Sequence, residues 1–287
     1  MDVLAGGTKG DRRSLPRQIA IPLMAEQTRL LVNADDFGLH RDINRGILDC
    51  IDHGRLQSIS FSAIGRAIDW QKLCELQRHG VRVGLHVTLV GEPWETDSRL
   101  FRNWKELVKQ MFSGGDSFKR ALEAEISRQF QLCAENGLDP HFLSHIDSHQ
   151  HVHVLSGIWQ PFVREKQKYH IDRIRIPWSP SIKKSLAGGV LQVLARRRRR
   201  EIASLPCLGL AHAGQNTIDV FRGELAAAAR SGFRDVEMVV HPGINTPALE
   251  SRYADWNFRW TGERDALLSP EFPKVVAANG YAFATTS

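Results

Sequence analysis

The chain has 287 residues, 42% hydrophobic, 24% charged and 8% aromatic, long enough to bury a substantial core without disulfides or structural metals. Its 38 basic and 32 acidic side chains leave a net charge of +6, but Arg196 to Arg200 supply five of the positive charges, so the spread of basic and aromatic residues expected of a nucleic-acid-binding face is missing. No run of about 18 apolar residues is present, which excludes a transmembrane helix.

Residues 1–28 are rich in Gly and Arg and lack periodicity, which predicts a disordered N-terminal extension, with Met24 an alternative start. From Arg29 onward short apolar runs alternate with helical patterns. Residues 30–34 read as a strand, 43–53 as a helix stopped by Gly54, 58–64 as a strand, 67–79 as a helix closed by Gly80, and 81–89 as a third strand. Residues 92–116 look like an inserted loop and 118–136 like a strong helix ended by Gly137. Then follow a strand at 142–146, a helix at 159–168, a strand at 173–177, and a helix somewhere within 181–203. The chain closes with strands at 207–211 and 236–240, helices at 220–231 and 270–279, and a last strand at 281–285. Seven or eight strand–helix units with short loops predict an α/β fold of parallel strands with right-handed crossovers, best accommodated by an irregular or incomplete (β/α) barrel. No composition break divides it, so residues 29–287 read as one domain. Cys50, Cys74, Cys133 and Cys207 are scattered, the pattern of free thiols in a cytoplasmic protein. The arginine run reads as a solvated helix end or exposed loop, or as a contact for the phosphates of a lipid headgroup or anionic glycan.

In a (β/α) barrel the chemistry belongs where strands end, and four polar clusters fall at such places. Asp35 and Asp36 close the first strand. Neighbours in extended backbone point to opposite sides, so one carboxylate can hold a metal while the other meets the attacking water; a helix N-cap or Asx turn is the alternative. His86 interrupts an apolar alternating strand. His145, Asp147, His149, His151 and His153 occupy nine residues, and if strand-like their odd positions share one face. Asp36, His86 and His149 would form a two-His, one-carboxylate site suited to zinc or another divalent first-row ion. His241, after the last buried strand run, is placed to protonate a leaving amine or serves structure alone. Arg175 could pair with Asp35, bind a substrate oxygen, or form a plain salt bridge, and His151 and His153 are candidates for orienting ligands or touching substrate.

The segments VNADDFGLH, GLHVTL, HIDSHQHVH and VVHPG, in that order, resemble the YdjC-like carbohydrate deacetylases, which include chitooligosaccharide and hopanoid-associated deacetylases. The resemblance implies an irregular (β/α) barrel related to polysaccharide deacetylases and one divalent ion, magnesium or zinc. Mapped by motif, the ligands would be Asp36, His86 and His149, the general base Asp35, and the acid His241. The implied reaction is removal of an N-acetyl group from an amino sugar, on an oligosaccharide or a glycolipid, with release of acetate. Related proteins are often dimers, so a homodimer is implied as well. Residues 92–116 and 179–200 match no motif, and these are where substrate choice would be set. The residues themselves also admit a metal-dependent phosphoesterase or a non-catalytic sugar-binding protein with tryptophan stacking surfaces.

Overall fold

The apolar run Leu30–Ala34 sits within β1 (Thr28–Phe37), the central strand of a parallel sheet in a computed structural model that describes residues 28–91, 101–179 and 186–285. The other strands are β2 (Ser58–Phe61), β3 (Arg82–Val87), β4 (His145–Ser148), β5 (Arg173–Ile174), β6 (Cys207–Leu208), β7 (Asp235–Val240) and β8 (Tyr281–Phe283), in the order β5-β4-β3-β2-β1-β7-β6. β2 pairs with residues 33–37 of β1 and β8 with residues 28–30, so β8 fills the place that β2 leaves beside the start of β1. The sheet curls until its two edges meet where the Cys207 N–H donates to the Trp178 carbonyl at 2.7 Å. This is the irregular barrel expected of the strand–helix rhythm.

Helices cover the outside. They are α1 (Arg41–Asp52), α2 (Trp70–Arg78), α3 (Trp104–Ser113), α4 (Gly115–Glu135), α5 (Ser156–Lys168), α6 (Leu186–Arg198), α7 (Ile218–Arg230), α8 (Pro247–Arg252), α9 (Trp260–Leu268) and α10 (Glu271–Ala278). Several turn an apolar stripe inward, as with Ile43, Ile47 and Cys50 of α1 and Phe221, Leu225 and Ala228 of α7. These pack on Leu30, Val32, Ile59, Leu85, Ile146 and Val236 from the outer face of the strands.

Four expectations shift. Residues 1–27 lie outside the described residues, and Thr28, assigned to the extension, already begins β1. The predicted loop at 92–116 contains α3, capped by the Asn103 side chain; its single buried residue, Leu107, leaves no periodic stripe to read. The fourth strand is His145–Ser148 rather than 142–146, because Asp139 caps a short 3-10 turn over Pro140–Phe142 that delays it. Helices α8 and α9 were not foreseen.

Candidate active site

Strand alternation makes the barrel interior polar. Asn33 and Asp35 of β1, Ser60 of β2, His86 of β3, His145 and Asp147 of β4, Arg175 just beyond β5, and Glu237 of β7 alternate with the apolar residues that face the helices. Buried this deeply, each polar group needs a partner, and most find one another. The Ser60 hydroxyl donates to Asp147 Oδ2 at 2.8 Å and accepts from Asn33 Nδ2 at 3.1 Å. Its hydrogen being spent on Asp147, it accepts from His145 Nε2 at 2.9 Å, which fixes the His145 tautomer. Burial holds the His145 imidazole well below its ordinary range, so it stays neutral. Gly84 is required here: a Cβ on it would lie 2.2–2.4 Å from the His145 ring.

At the end of β1 the pairing with β2 slips between Ala34 and Phe37, and Asp36 takes φ 72°. A bulge of this kind re-aims a side chain. The two carboxylates therefore do not point to opposite sides, as extended backbone had suggested; both reach the region of His86. Asp36 Oδ1 lies 3.0 Å from His149 Nδ1 and 3.5 Å from His86 Nε2. Asp36, His86 and His149 each place one ligand atom within 4.8 Å of the others, and all three are buried. On the far side of its ring, His86 Nδ1 donates to Asp147 Oδ1 at 2.5 Å. A carboxylate behind a histidine, leaving the other nitrogen free, is the arrangement that orients a metal ligand. Donor types and orientation therefore fit a divalent cation at these three residues. Burial alone would push His86 down, but Asp147, Asp35 and Asp36 outweigh it and hold the imidazole up at about 9. Burial likewise opposes ionisation of Asp36, yet His149, His86 and His241 keep that carboxyl well below the usual range.

A second grouping, Asp35, His86 and Asp147, is equally close. Arg175 already occupies it: Nη2 lies 2.6 Å from Asp35 Oδ2 and 2.8 Å from Asp147 Oδ2, and Nη1 donates to Asp35 Oδ1 at 2.7 Å. A guanidinium between two carboxylates supplies the charge that a second cation would bring. Asn33 Nδ2 also donates to Asp35 Oδ1, at 2.8 Å. Among the described residues Oδ2 accepts from Arg175 Nη2, which leaves it a lone pair for another donor.

The remaining candidates separate. Arg175 is 1% exposed and His153 is fully buried, with Nε2 donating to the Arg175 carbonyl and Nδ1 accepting from Ser148. Arg175 thus makes the pairing with Asp35 that the sequence allowed, and His153 is committed to Arg175 and Ser148. Gln150 and His151 adopt φ 53° and 55°, so the chain leaves the strand after Ser148 and the odd-numbered histidines do not share one face. His151 is half-buried, and its Nδ1 has no hydrogen-bond partner among the described residues. His241 follows β7 directly, with its ring 5.0 Å from that of Phe258. It acts electrostatically on Asp36 but is not among the three clustered ligands.

Sequence reasoning left Asp147 and Glu263 without a role and offered Trp256 only as a sugar-stacking surface. Asp147 stood in the histidine cluster unassigned, although its period-2 relation to His145 places it inside. Glu263 of α9 accepts from the His241 backbone N–H at 2.8 Å and from Asn216 Nδ2 at 3.0 Å, so it ties down the turn that carries His241. Trp256 stacks on His149 with ring centroids 4.9 Å apart, and Phe258 joins it to His241, forming an aromatic wall along the site. Gly91, at φ 86°, leaves room for His149, since a Cβ there would lie 2.8 Å from Nε2. A cleft of about 790 Å³, lined by Phe37, Leu39, His40 and Trp70 among others, opens beside this centre rather than on it.

Comparison with known proteins agrees with this architecture. The chain is 28% identical over 262 residues to a chitooligosaccharide deacetylase of Enterobacter sp. (strain 638), covering 88% of this chain and 95% of that one. It is 33% identical over 166 residues to a carbohydrate deacetylase of Mus musculus, covering 53% of this chain and 51% of the other. A proposed cellobiose-phosphate cleavage protein from Enterococcus faecalis V583 has the same fold, with a TM-score of 0.69 at 16% identity over 91% of this chain and 98% of that one. The family model described as YdjC-like protein matches residues 29–278, and the chain therefore belongs to the YdjC-like family.

Proposed function

We propose that the chain is a metal-dependent deacetylase that hydrolyses the N-acetyl group of an amino sugar in a chito-oligosaccharide, releasing acetate and a free amine. The observation that carries this reading is the convergence of Asp36, His86 and His149 beside a separately anchored carboxylate, Asp35. A divalent ion held by the three ligands would supply Lewis-acid polarisation of the acetyl carbonyl and of the attacking water.

The chain's own groups account for the proton movements. Asp35, held by Arg175 and Asn33, accepts the proton of the water as its oxygen bonds to the acetyl carbon. His241, at the other end of the aromatic wall, gives a proton to the sugar nitrogen as the C–N bond breaks. Trp256 and Phe258 offer apolar ring faces of the type on which sugars stack. The names of the relatives favour an oligosaccharide over a glycolipid. Arg175 in the second acidic grouping argues against the two-metal arrangement common in phosphoesterases.

The test is incubation of the full chain with N-acetylated chito-oligosaccharides, reading acetate and free amine. Equal amounts of both, lost with a chelator and restored by zinc or magnesium, are expected. Sugar binding that is indifferent to chelator and yields no acetate would overturn the proposal.

A further inference from the structure

The arginine run divides into two functions. Arg198 is buried: it donates to the Val154 carbonyl at 3.1 Å, pairs with Glu201 at 2.9 Å and lies over Trp159. Arg199 lies 3.8 Å over the Trp178 ring. Both serve the fold, and Arg198 braces the end of the turn that carries His149.

The other face of α6 has no such employment. Val190 and Val193 are 56% and 67% exposed, and Arg196, Arg197 and Arg200 are exposed too. The Arg199 and Arg200 N–H groups bond to the Ala195 and Arg197 carbonyls, which carries the helical turn past Arg198. At roughly 100° per residue these five positions fall on one arc of about 120°. No acidic residue occurs between 186 and 200. Among the described residues none of Arg196, Arg197 and Arg200 is in an ion pair. Folding thus leaves two exposed valines running into three arginines outside any ion pair, with Glu201, already paired to Arg198, as the adjacent carboxylate.

We propose that this face docks on an anionic lipid bilayer surface, with the valines at the boundary between headgroups and acyl chains and the three arginines on lipid phosphates. A helix with an apolar strip bordered by cations suits that interface. Protein interfaces concentrate their energy in aromatic anchors seated in pockets. This arc is a convex helix surface without an aromatic residue, so the charge complementarity points to a diffuse headgroup layer rather than a shaped socket. The face lies outside the candidate catalytic centre, and the inference stands independently of the proposed reaction.

The experiment is co-sedimentation of the full chain with vesicles of phosphatidylcholine alone and of phosphatidylcholine mixed with phosphatidylglycerol, across a salt series. Retention on the mixed vesicles only, weakening with salt, is expected. Arg196→Glu/Arg197→Glu/Arg200→Glu should lower the partition coefficient by on the order of 100-fold, and Val190→Ser/Val193→Ser by several-fold at fixed charge. Thermal melts of both variants should match the parent, since every substituted side chain is exposed. Failure of the parent chain to sediment with mixed vesicles, or equal retention of the charge-reversed variant, would overturn the proposal. So would equal retention of the valine variant on vesicles together with equal binding to heparin, because charge alone would then explain the contact.

Discussion

Asp147→Asn is the most informative perturbation of the buried network. Asp147 Oδ1 accepts the His86 Nδ1 proton at 2.5 Å, while Oδ2 accepts from Ser60 and lies 2.8 Å from Arg175 Nη2. An asparagine cannot keep all three, because its single oxygen serves either His86 or the pair Ser60 and Arg175. If its oxygen stays on His86, its NH₂ faces the Ser60 hydroxyl and the guanidinium, two donors with no acceptor between them. If it flips, His86 loses the group that fixes its ring. Arg175 would keep Asp35, but its next carboxylate, Glu237, lies at 3.7 Å. Removing one partner of a buried ion pair costs roughly 3–5 kcal/mol, and loss of an outer carboxylate behind a metal-binding histidine typically costs 10–100-fold in affinity. A melt of the metal-free chain should therefore drop by roughly 6–20 °C for a domain of this size. Calorimetric titration with zinc should give a dissociation constant about 10–100-fold weaker. Unchanged zinc affinity in a folded variant would refute the argument that Asp147 orients His86 for a cation.

Other expectations follow from close contacts and from buried histidines. A Cβ on Gly46 of α1 would lie 2.3 Å from Gly243 Cα, so Gly46→Ala should displace the turn after His241. Turnover should fall by about 10–100-fold with zinc affinity unchanged; equal loss of both would mean that α1 governs the metal ligands too. Gly84→Ala should destabilise by about 1–3 kcal/mol through the His145 ring, read as a lower denaturation midpoint, and a neutral outcome would mean that the ring has another place to go. His153 is buried with its pKa pushed down to about 4. Between pH 6.5 and 4 the unfolded chain takes up a proton that the folded chain refuses, so stability should fall as pH drops through that window, by at most about 3 kcal/mol. His153→Gln should flatten this slope in urea melts at successive pH values, whatever it does at pH 7.

The legibility of the fold tracked how simply each residue's burial repeats. The apolar run at 30–34 and the stripe of Ile43, Ile47 and Cys50 carry their periods openly, and the strands and helices built on them lie where the sequence puts them. Helix α9 was missed because its buried positions are Trp260, Glu263 and Leu267: a carboxylate in the middle of an apolar stripe erases the period, and it is there to hold the His241 turn. The bulge at Asp35–Asp36 was equally hidden, since nothing in the pair of letters distinguishes extended backbone from a left-handed second residue. The clustering of Asp36, His86 and His149 was readable from strand ends, whereas the burial of Arg175 and His153 depends on how far β5 and the turn after β4 fold over the barrel mouth.

Titration of the metal-free chain with zinc, alongside Asp36→Asn, His86→Ala, His149→Ala and Asp35→Asn, tests the centre most directly. One ion per chain is predicted, with tight binding abolished by each of the first three substitutions and kept within a few-fold by Asp35→Asn, which loses about 10²–10⁴ in turnover. Two ions per chain, or undiminished binding after loss of Asp36, His86 or His149, would contradict the assignment.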